Sequence, residues 1–349
     1  MITTKTRARE TASVQLATMK AIVQNQYGTS EVLELRDIAK PEIGDSEVLV
    51  RVRAAGVNPG DWAIMGGLPY IARPVYGLGK PKNRVRGTDV AGQVEAIGGA
   101  VTRFRPGDEV FGSSKHLGGA FAEYAAVSED ALAPKPTNLT FEQAAAVPMA
   151  GYVALQALRD HGKVKAGQKV LVNGASGGIG TFAVQIAKSL GAEVTGVTST
   201  RNVDLVRSIG ADHVIDYTKE DFTRTGQRYD FILDNVANHS LSDLRRALAP
   251  RGMLVPNGGG FDHRWVASGG RLISAKVSFA FVSQALATFI VSPNQENLVV
   301  LTELIETGKV TPIIDRTYPL GEARRAIDHV GEGHARGKVI VAVSTGVTS

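Results

Sequence analysis

The run Asn173-Gly174-Ala175-Ser176-Gly177-Gly178-Ile179-Gly180 stands directly between an apolar strand-like segment, Val170-Leu171-Val172-Asn173, and a stretch whose apolar residues Phe182, Ile186 and Leu190 recur at helical spacing. Glycines at 174, 177 and 180 allow a tight turn, a close approach of backbone N–H groups to a pyrophosphate, and helix packing on the sheet. The helix N-terminus adds attraction for negative charge. Gly174, Ala175, Ser176, Gly177, Gly178 and Ile179 are therefore the candidates for dinucleotide binding. Gly191, expected to carry a left-handed cap, closes the helix, and a second strand follows at Glu193 to Val197. Further strand-like runs at Asp212 to Asp216, Tyr229 to Asp234 and Gly252 to Pro256 are separated by helix-sized intervals. Such alternation is how a parallel sheet covered by helices is written.

After the second strand, an enzyme that uses NAD usually presents Asp or Glu to the ribose 2′-hydroxyl. Here the chain reads Val197-Thr198-Ser199-Thr200-Arg201. Ser199, Thr200 and Arg201 offer two hydroxyls and a guanidinium, which suits a 2′-phosphate and favours NADPH. The alternative keeps Arg201 as a solvated residue at a helix start, with NAD as cofactor.

Residues 19 to 135 carry short Val/Ile runs broken by Gly, Pro and Asp, the pattern of a compact barrel or sandwich. Residues 301 to 343 read as a helix, a strand containing Pro, a second helix and a closing strand from Lys338 to Val341. A length of 349 residues suits two domains. The 39 Lys and Arg against 34 Asp and Glu, a net charge of +5, suit an anionic small ligand as well as nucleic acid. There is no array of Arg and aromatic residues, so nucleic acid is not an expected partner. The chain has no cysteine, which excludes disulfides, thiolate nucleophiles and zinc sites that need a thiolate. The uncharged stretch from Val277 to Val291 is shorter than the roughly 20 residues of a membrane span and contains Ser278, Ser283, Gln284 and Thr288. It is expected as a buried or interfacial helix, with no membrane insertion. Residues 1–18 are Thr- and Arg-rich but include Glu10, and are expected as a disordered tail or an upstream start rather than a transit peptide. A cytoplasmic location is the expectation.

The motifs Gly87-Thr88-Asp89-Val90-Ala91-Gly92-Gln93-Val94-Glu95-Ala96-Ile97-Gly98, Arg105-Pro106-Gly107-Asp108-Glu109-Val110-Phe111-Gly112 and Gly119-Ala120-Phe121-Ala122-Glu123-Tyr124, taken with the glycine loop, resemble the medium-chain dehydrogenase/reductase superfamily. Within it the chain looks most like the zinc-free quinone oxidoreductase branch, which includes zeta-crystallin, from about Met19 to Val343. The resemblance implies an α/β architecture: a GroES-like β-rich catalytic domain, residues 19–145 and 300–349, interrupted by a Rossmann doubly wound parallel-sheet domain, residues 146–299. It also implies NADPH, an active site in the cleft between the domains, and a homodimer.

Where the zinc alcohol dehydrogenases have a ligand Cys this chain has Val57-Asn58-Pro59-Gly60-Asp61, and where they have Gly-His-Glu it has Gly87-Thr88-Asp89. Asparagine and threonine replace thiolate and imidazole poorly, so no metal is expected. The family motif makes Asn58 the first candidate for a polar group beside the nicotinamide and substrate, or else a helix cap before Pro59. Asp61 is expected to orient that turn. Tyr70 falls in a loop that borders the substrate pocket in this family, where it can donate a proton or hydrogen bond, or simply pack. Tyr217 matches a family position at the 2′-phosphate end, with a buried tyrosine at the strand end as the alternative. Asn235 and Val236 follow the fourth Rossmann strand, where the chain passes the nicotinamide ribose, and Asn257-Gly258-Gly259-Gly260 follows the fifth. Lys338 is a candidate to neutralise cofactor or substrate charge.

Without a Lewis acid, the anion formed by hydride addition must be held by hydrogen bonds or by its own delocalisation. Quinones and α,β-unsaturated carbonyls meet that need best. An enoyl-thioester reductase and an alcohol dehydrogenase-type activity are alternatives within enzymology, and a protein that binds NADPH without turnover is the alternative outside it.

Overall fold

The computed structural model describes residues 17–114, 118–257, 279 and 283–343. A ribbon of β1 (Thr18–Gln24) and β2 (Leu33–Ala39) opens the chain, followed by the long β3 (Glu47–Val57), helix α1 (Pro59–Met65) and the short α2 (Arg73–Tyr76). Strands β4 (Asp89–Ile97), β5 (Glu109–Ser113), β6 (Tyr124–Ser128) and β7 (Leu132–Pro134) lead into α3 (Phe141–Ala145) and α4 (Pro148–Leu155). Next come β8 (Lys169–Asn173), α5 (Gly178–Ser189), β9 (Glu193–Thr198), α6 (Val203–Ser208), β10 (His213–Asp216), β11 (Tyr229–Asp234), α7 (Leu241–Ala247), β12 (Leu248–Pro256) and β13 (Ala285–Leu286). The chain then forms α8 (Gln295–Glu306), β14 (Ile314–Pro319), α9 (Ala323–Gly331) and β15 (Lys338–Ala342).

The six strands β8 to β13 form a parallel sheet in the order β10-β9-β8-β11-β12-β13. Counted from β8 this is 3-2-1-4-5-6, the dinucleotide-binding order, with its switch point between β8 and β11. The expected strand–loop–helix unit is present, and Gly191 carries the left-handed conformation, φ 80°. The second sheet runs β14-β15-β3-β4-β5-β7, with β6 also paired to β3. It is antiparallel throughout except for β14 beside β15. Thus β14 and β15, after the parallel sheet, return to complete the antiparallel one, as the α/β expectation with an inserted parallel domain requires.

The core is continuous across the two sheets. Alanines of α3 and α4 pack with Ala54, Ala91 and Phe111 on one side and with Val170, Phe182 and Phe231 on the other. Small residues let the two sheets approach closely while still burying apolar area. A separate cluster, including Val50, Val52, Val94, Phe121 and Ile327, fills the antiparallel unit.

Two expectations need correction. Between β10 and β11, residues 217–228 make turns and no helix, because Thr218 and Thr223 bond back onto Asp216 and Asp221 and compete with helical pairing. Of the stretch expected as a buried helix, Phe279 is helical and buried, whereas residues 283–291 form β13 and irregular chain around it. Ala285 and Leu286 pair with Met253 and Leu254, so the exposed edge of β12 decided the outcome. Residues 1–16 and Gly258 to Gly260 lie outside the described residues.

Candidate active site

Three adjacent strand ends build the centre of the site. Val57 of β3 faces Val339 of β15, and Gly56 faces Asp89 of β4. Asn58, Lys338 and Asp89 therefore converge at one end of the sheet. Asn58 Nδ2 donates to Asp89 Oδ2 at 3.0 Å, and Lys338 Nζ donates to Asn58 Oδ1. The Met149 backbone N–H, in the first turn of α4, also donates to Asp89 at 3.2 Å. Gly56 is required here by space: a Cβ would lie 2.4 Å from the Ala145 carbonyl oxygen and 3.1 Å from Asp89 Cβ. Burial pushes the Asp89 carboxyl above its usual range, while the Lys338 charge and the Asn58 hydrogen bond hold it down.

Asn58 is also the N-cap residue of α1. Its amide is turned to Asp89 and Lys338, and the cap is completed by Asp61, whose Oδ2 accepts from the Asn58 N–H at 2.8 Å. Thr88 donates its hydroxyl to Asp61 Oδ1 at 2.6 Å. Asp61 thus orients the turn, as expected. Its burial pushes the carboxyl up to about 6, against the opposing pull of Thr88 and Asn58.

This donor set does not fit zinc. The Asn58 oxygen faces an ammonium group, which repels a second cation, and the Thr88 hydroxyl is committed to Asp61. Among the described residues no group of three or more His, Cys, Asp or Glu could hold a metal ion.

Tyr70 sits in the loop between α1 and α2. Its ring packs under the Arg73 guanidinium at 4.3 Å, which also covers Tyr27 at 4.8 Å. That contact places Tyr70 on the wall of a groove with Ile71 and Leu78 rather than within the Asn58 group.

The glycine loop lies next to Lys338. Gly177 forms a parallel bridge with Gly337, whose N–H donates to the Ser176 carbonyl at 2.9 Å. A Cβ on Gly178 would sit 3.1 Å from Lys338 Cδ. Gly174 adopts φ 79°, a conformation glycine tolerates, and Ala175 is buried beneath the loop. Ser176 Oγ accepts from Thr198 Oγ1 at 2.8 Å and Asn202 Nδ2 at 3.0 Å, which fixes the loop to the end of β9. Gly177 is the N-cap of α5 and has no side chain to occupy the leading amides. Those amides, those of Gly178 and Ile179 among them, lack intrahelical acceptors. The loop therefore fits the pyrophosphate of a dinucleotide.

At the end of β9, Arg201 donates to the His334 carbonyl at 3.1 Å. Thr200 Oγ1 donates to Asp216 Oδ2 at 2.7 Å, and the Thr218 N–H and hydroxyl bind Oδ1. These bonds, Thr200's first, hold Asp216 at about 2. Ser199 starts the same turn, since its carbonyl accepts from Asn202. Tyr217 follows β10 and is exposed, so the buried alternative does not hold.

At the switch point Asn173 Nδ2 donates to Asp234 Oδ1 at 2.9 Å. Asn235 donates through both its N–H and Nδ2 to the Asn173 carbonyl, and its Oδ1 accepts from Asn257 at 2.8 Å. Val236 is exposed above Gly174.

The structure unites Asn58, Lys338 and the glycine loop and leaves Tyr70 and the Arg201 group at its flanks. Asp89 and Asp234 are the members that sequence reasoning did not select. Their signal was an acidic residue at the end of an otherwise apolar strand run, Asp89-Val90-Ala91 and Phe231-Ile232-Leu233-Asp234.

Family models match two parts of the chain: an alcohol dehydrogenase GroES-like domain over residues 44–137 and a zinc-binding dehydrogenase over residues 209–341. The chain is 33% identical to a chloroplast envelope quinone oxidoreductase homolog of Arabidopsis thaliana, over 93% of this chain and 98% of the relative. It is 34% identical to an NADPH-dependent alkenal/one oxidoreductase, chloroplastic, of the same plant, over 93% and 79%. Among solved structures, the quinone oxidoreductase from Coxiella burnetii superposes with a TM-score of 0.82 at 30% identity, covering 94% of this chain and all of the other. With its GroES-like and Rossmann units and these relatives, the chain belongs to the quinone oxidoreductase branch of the medium-chain dehydrogenase/reductase superfamily.

Proposed function

We propose that the protein is an NADPH-dependent, zinc-independent reductase of quinones and α,β-unsaturated carbonyls. The observation that carries this reading is the Gly177–Gly337 bridge, which sets the dinucleotide loop against the strand that bears Lys338. Hydride donor and acceptor then share one cleft.

NADPH, when bound, supplies the hydride. The α5 N-terminus and residues 174–179 would hold its pyrophosphate. Ser199, Thr200 and Arg201 would hold the 2′-phosphate, with Asp216 kept from competing by its bonds to Thr200 and Thr218. Asn235 and Val236 would line the nicotinamide ribose. Asn58 Nδ2 has two hydrogens and gives one to Asp89, leaving one for a substrate oxygen. Lys338 fixes the amide orientation through Oδ1 and supplies positive potential as an enolate or hydroquinonate forms. A delocalised anion suits this arrangement better than an alkoxide.

The test follows cofactor oxidation with a panel of simple quinones and enones, with NADH and a chelator run in parallel. Turnover that prefers NADPH and ignores the chelator is the expected result. Cofactor binding with no acceptor reduced would leave the binder without turnover in its place. As assembly we propose a homodimer, which light scattering would report at twice 36.9 kDa.

A further inference from the structure

A second feature lies at the far end of α1. A groove of about 580 Å³ is bordered by Ile64, Val75, Tyr76, Lys82, Arg84 and Arg86. No carboxylate is among its lining residues. Three cations around one groove, two of them exposed, make a field that attracts anions.

Arg86 differs from its neighbours. It is only 2% exposed, and its Nε has no hydrogen-bond partner among the described residues. The one hydrogen bond of its side chain among these residues runs from a terminal guanidinium nitrogen to the Asn83 carbonyl. Asp61, whose charge acts on it, accepts from Thr88 and Asn58, and no ion pair joins it to Arg86 among the described residues. Arg73, the first residue of α2, shows what a structural arginine looks like. Its Nε donates to the Gly67 carbonyl at 3.1 Å, and its plane is covered by Tyr27 and Tyr70. A buried guanidinium with unspent donors and no ion-pair partner is costly to a fold and invites an anionic ligand.

The wall of the groove supplies the other half of the recognition. Val75 is 63% exposed beside Arg86, and Leu78, 74% exposed, continues an apolar surface with Ile71 toward Tyr70. From Asn58 to Ile64 is six residues, about 9 Å along the helix axis at 1.5 Å per residue. That separation is within the length of an elongated acceptor whose reacting carbon lies beside Asn58.

We infer that this groove is the distal acceptor subsite, that Arg86 with Lys82 and Arg84 binds an anionic group there, and that the preferred acceptor is an apolar enone or quinone carrying such a group. The proposal deepens the reductase reading and rests on it. Two sources of the anion share this chemistry: a carboxylate on the acceptor itself, and the phosphates of an acyl-coenzyme A.

The test uses the full-length protein and a matched pair, 4-phenyl-3-buten-2-one and its para-carboxylate. The KM of the carboxylate is expected to be at least tenfold lower than that of the neutral enone, and Arg86→Met to abolish the difference without changing the neutral enone more than twofold. Calorimetric binding of the two saturated ketones gives the same comparison without turnover. Arg86→Met can also cost the fold, so Lys82→Gln with Arg84→Gln, both exposed, serves as the second variant, with an expected threefold or greater loss on the anionic ligand alone. Crotonyl-coenzyme A against crotonyl-N-acetylcysteamine distinguishes phosphate from carboxylate as the source. Equal affinity for charged and neutral ligands, or a preference untouched by both variants, overturns the subsite. Failure to reduce the neutral enone overturns the reductase reading instead, while the calorimetric arm still judges the subsite.

Discussion

The Lys338 ammonium and the Asp89 carboxylate lie 3.5 Å apart with side chains 3% and 0% exposed, and the Asn58 amide bridges them. Removing one charge leaves the other buried without compensation, which costs about 3–5 kcal/mol. Lys338→Met is expected to lose stability on that scale in urea denaturation. The double variant Lys338→Met with Asp89→Asn should recover at least half, because the stranded carboxylate is gone. A double variant no more stable than Lys338→Met would show that packing, not charge, sets the loss.

Asp61 sets a pH dependence with a definite sign. Its native value of about 6 lies above the ordinary 3.8, so the folded state binds its proton more readily than the unfolded state. That contribution is full below the unfolded value and is lost as pH rises through the native one. The loss amounts to roughly 3 kcal/mol across the window from 3.8 to about 6. Subtracting the stability profile of Asp61→Asn from that of the native protein should leave a negative slope between these limits, whatever the offset. A flat difference would mean that Asp61 titrates normally.

Arg201 is expected to discriminate between cofactors. A charge-assisted contact to phosphate is worth about 1.5–3 kcal/mol, so Arg201→Ala should raise the KM for NADPH about tenfold or more. The KM for NADH should change less than twofold. Equal changes for both would place Arg201 in a structural role through the His334 carbonyl.

Metal removal is expected to have no effect. Dialysis against a strong chelator should leave turnover unchanged, and added zinc should not raise it. Loss of activity restored by zinc would contradict the mismatch between this donor set and a divalent cation.

The sequence carried the parallel sheet because short apolar runs such as Val170-Leu171-Val172 and Phe231-Ile232-Leu233 alternate with helix-sized intervals and the first precedes a glycine loop, and such runs are stable only when both faces are covered. It carried Asn58 and Lys338 as separate candidates. It did not show that they touch, since 280 positions divide them and only the pairing of β3 with β15 closes that distance. Asp89 was legible as part of a motif but not as a site residue, because a carboxylate at the start of a strand reads as solvated until its neighbours are known. The helix expected over 277–291 does not extend past residue 283 for a related reason: an uncharged stretch has no preference that outweighs an open sheet edge. Arg86 gave no signal, since its burial depends on loops that meet only in the folded chain.

The contact between Gly177 and Gly337 also bears on how such proteins can be recombined. The nucleotide loop is seated on a peptide that belongs, by chain position, to the other unit. A chimera that imports a relative's nucleotide-binding half inherits a loop shaped for another partner strand. Breakpoints that keep residues 174–180 and 334–338 from the same parent preserve the joint, and those that split them ask two unacquainted surfaces to align a cofactor.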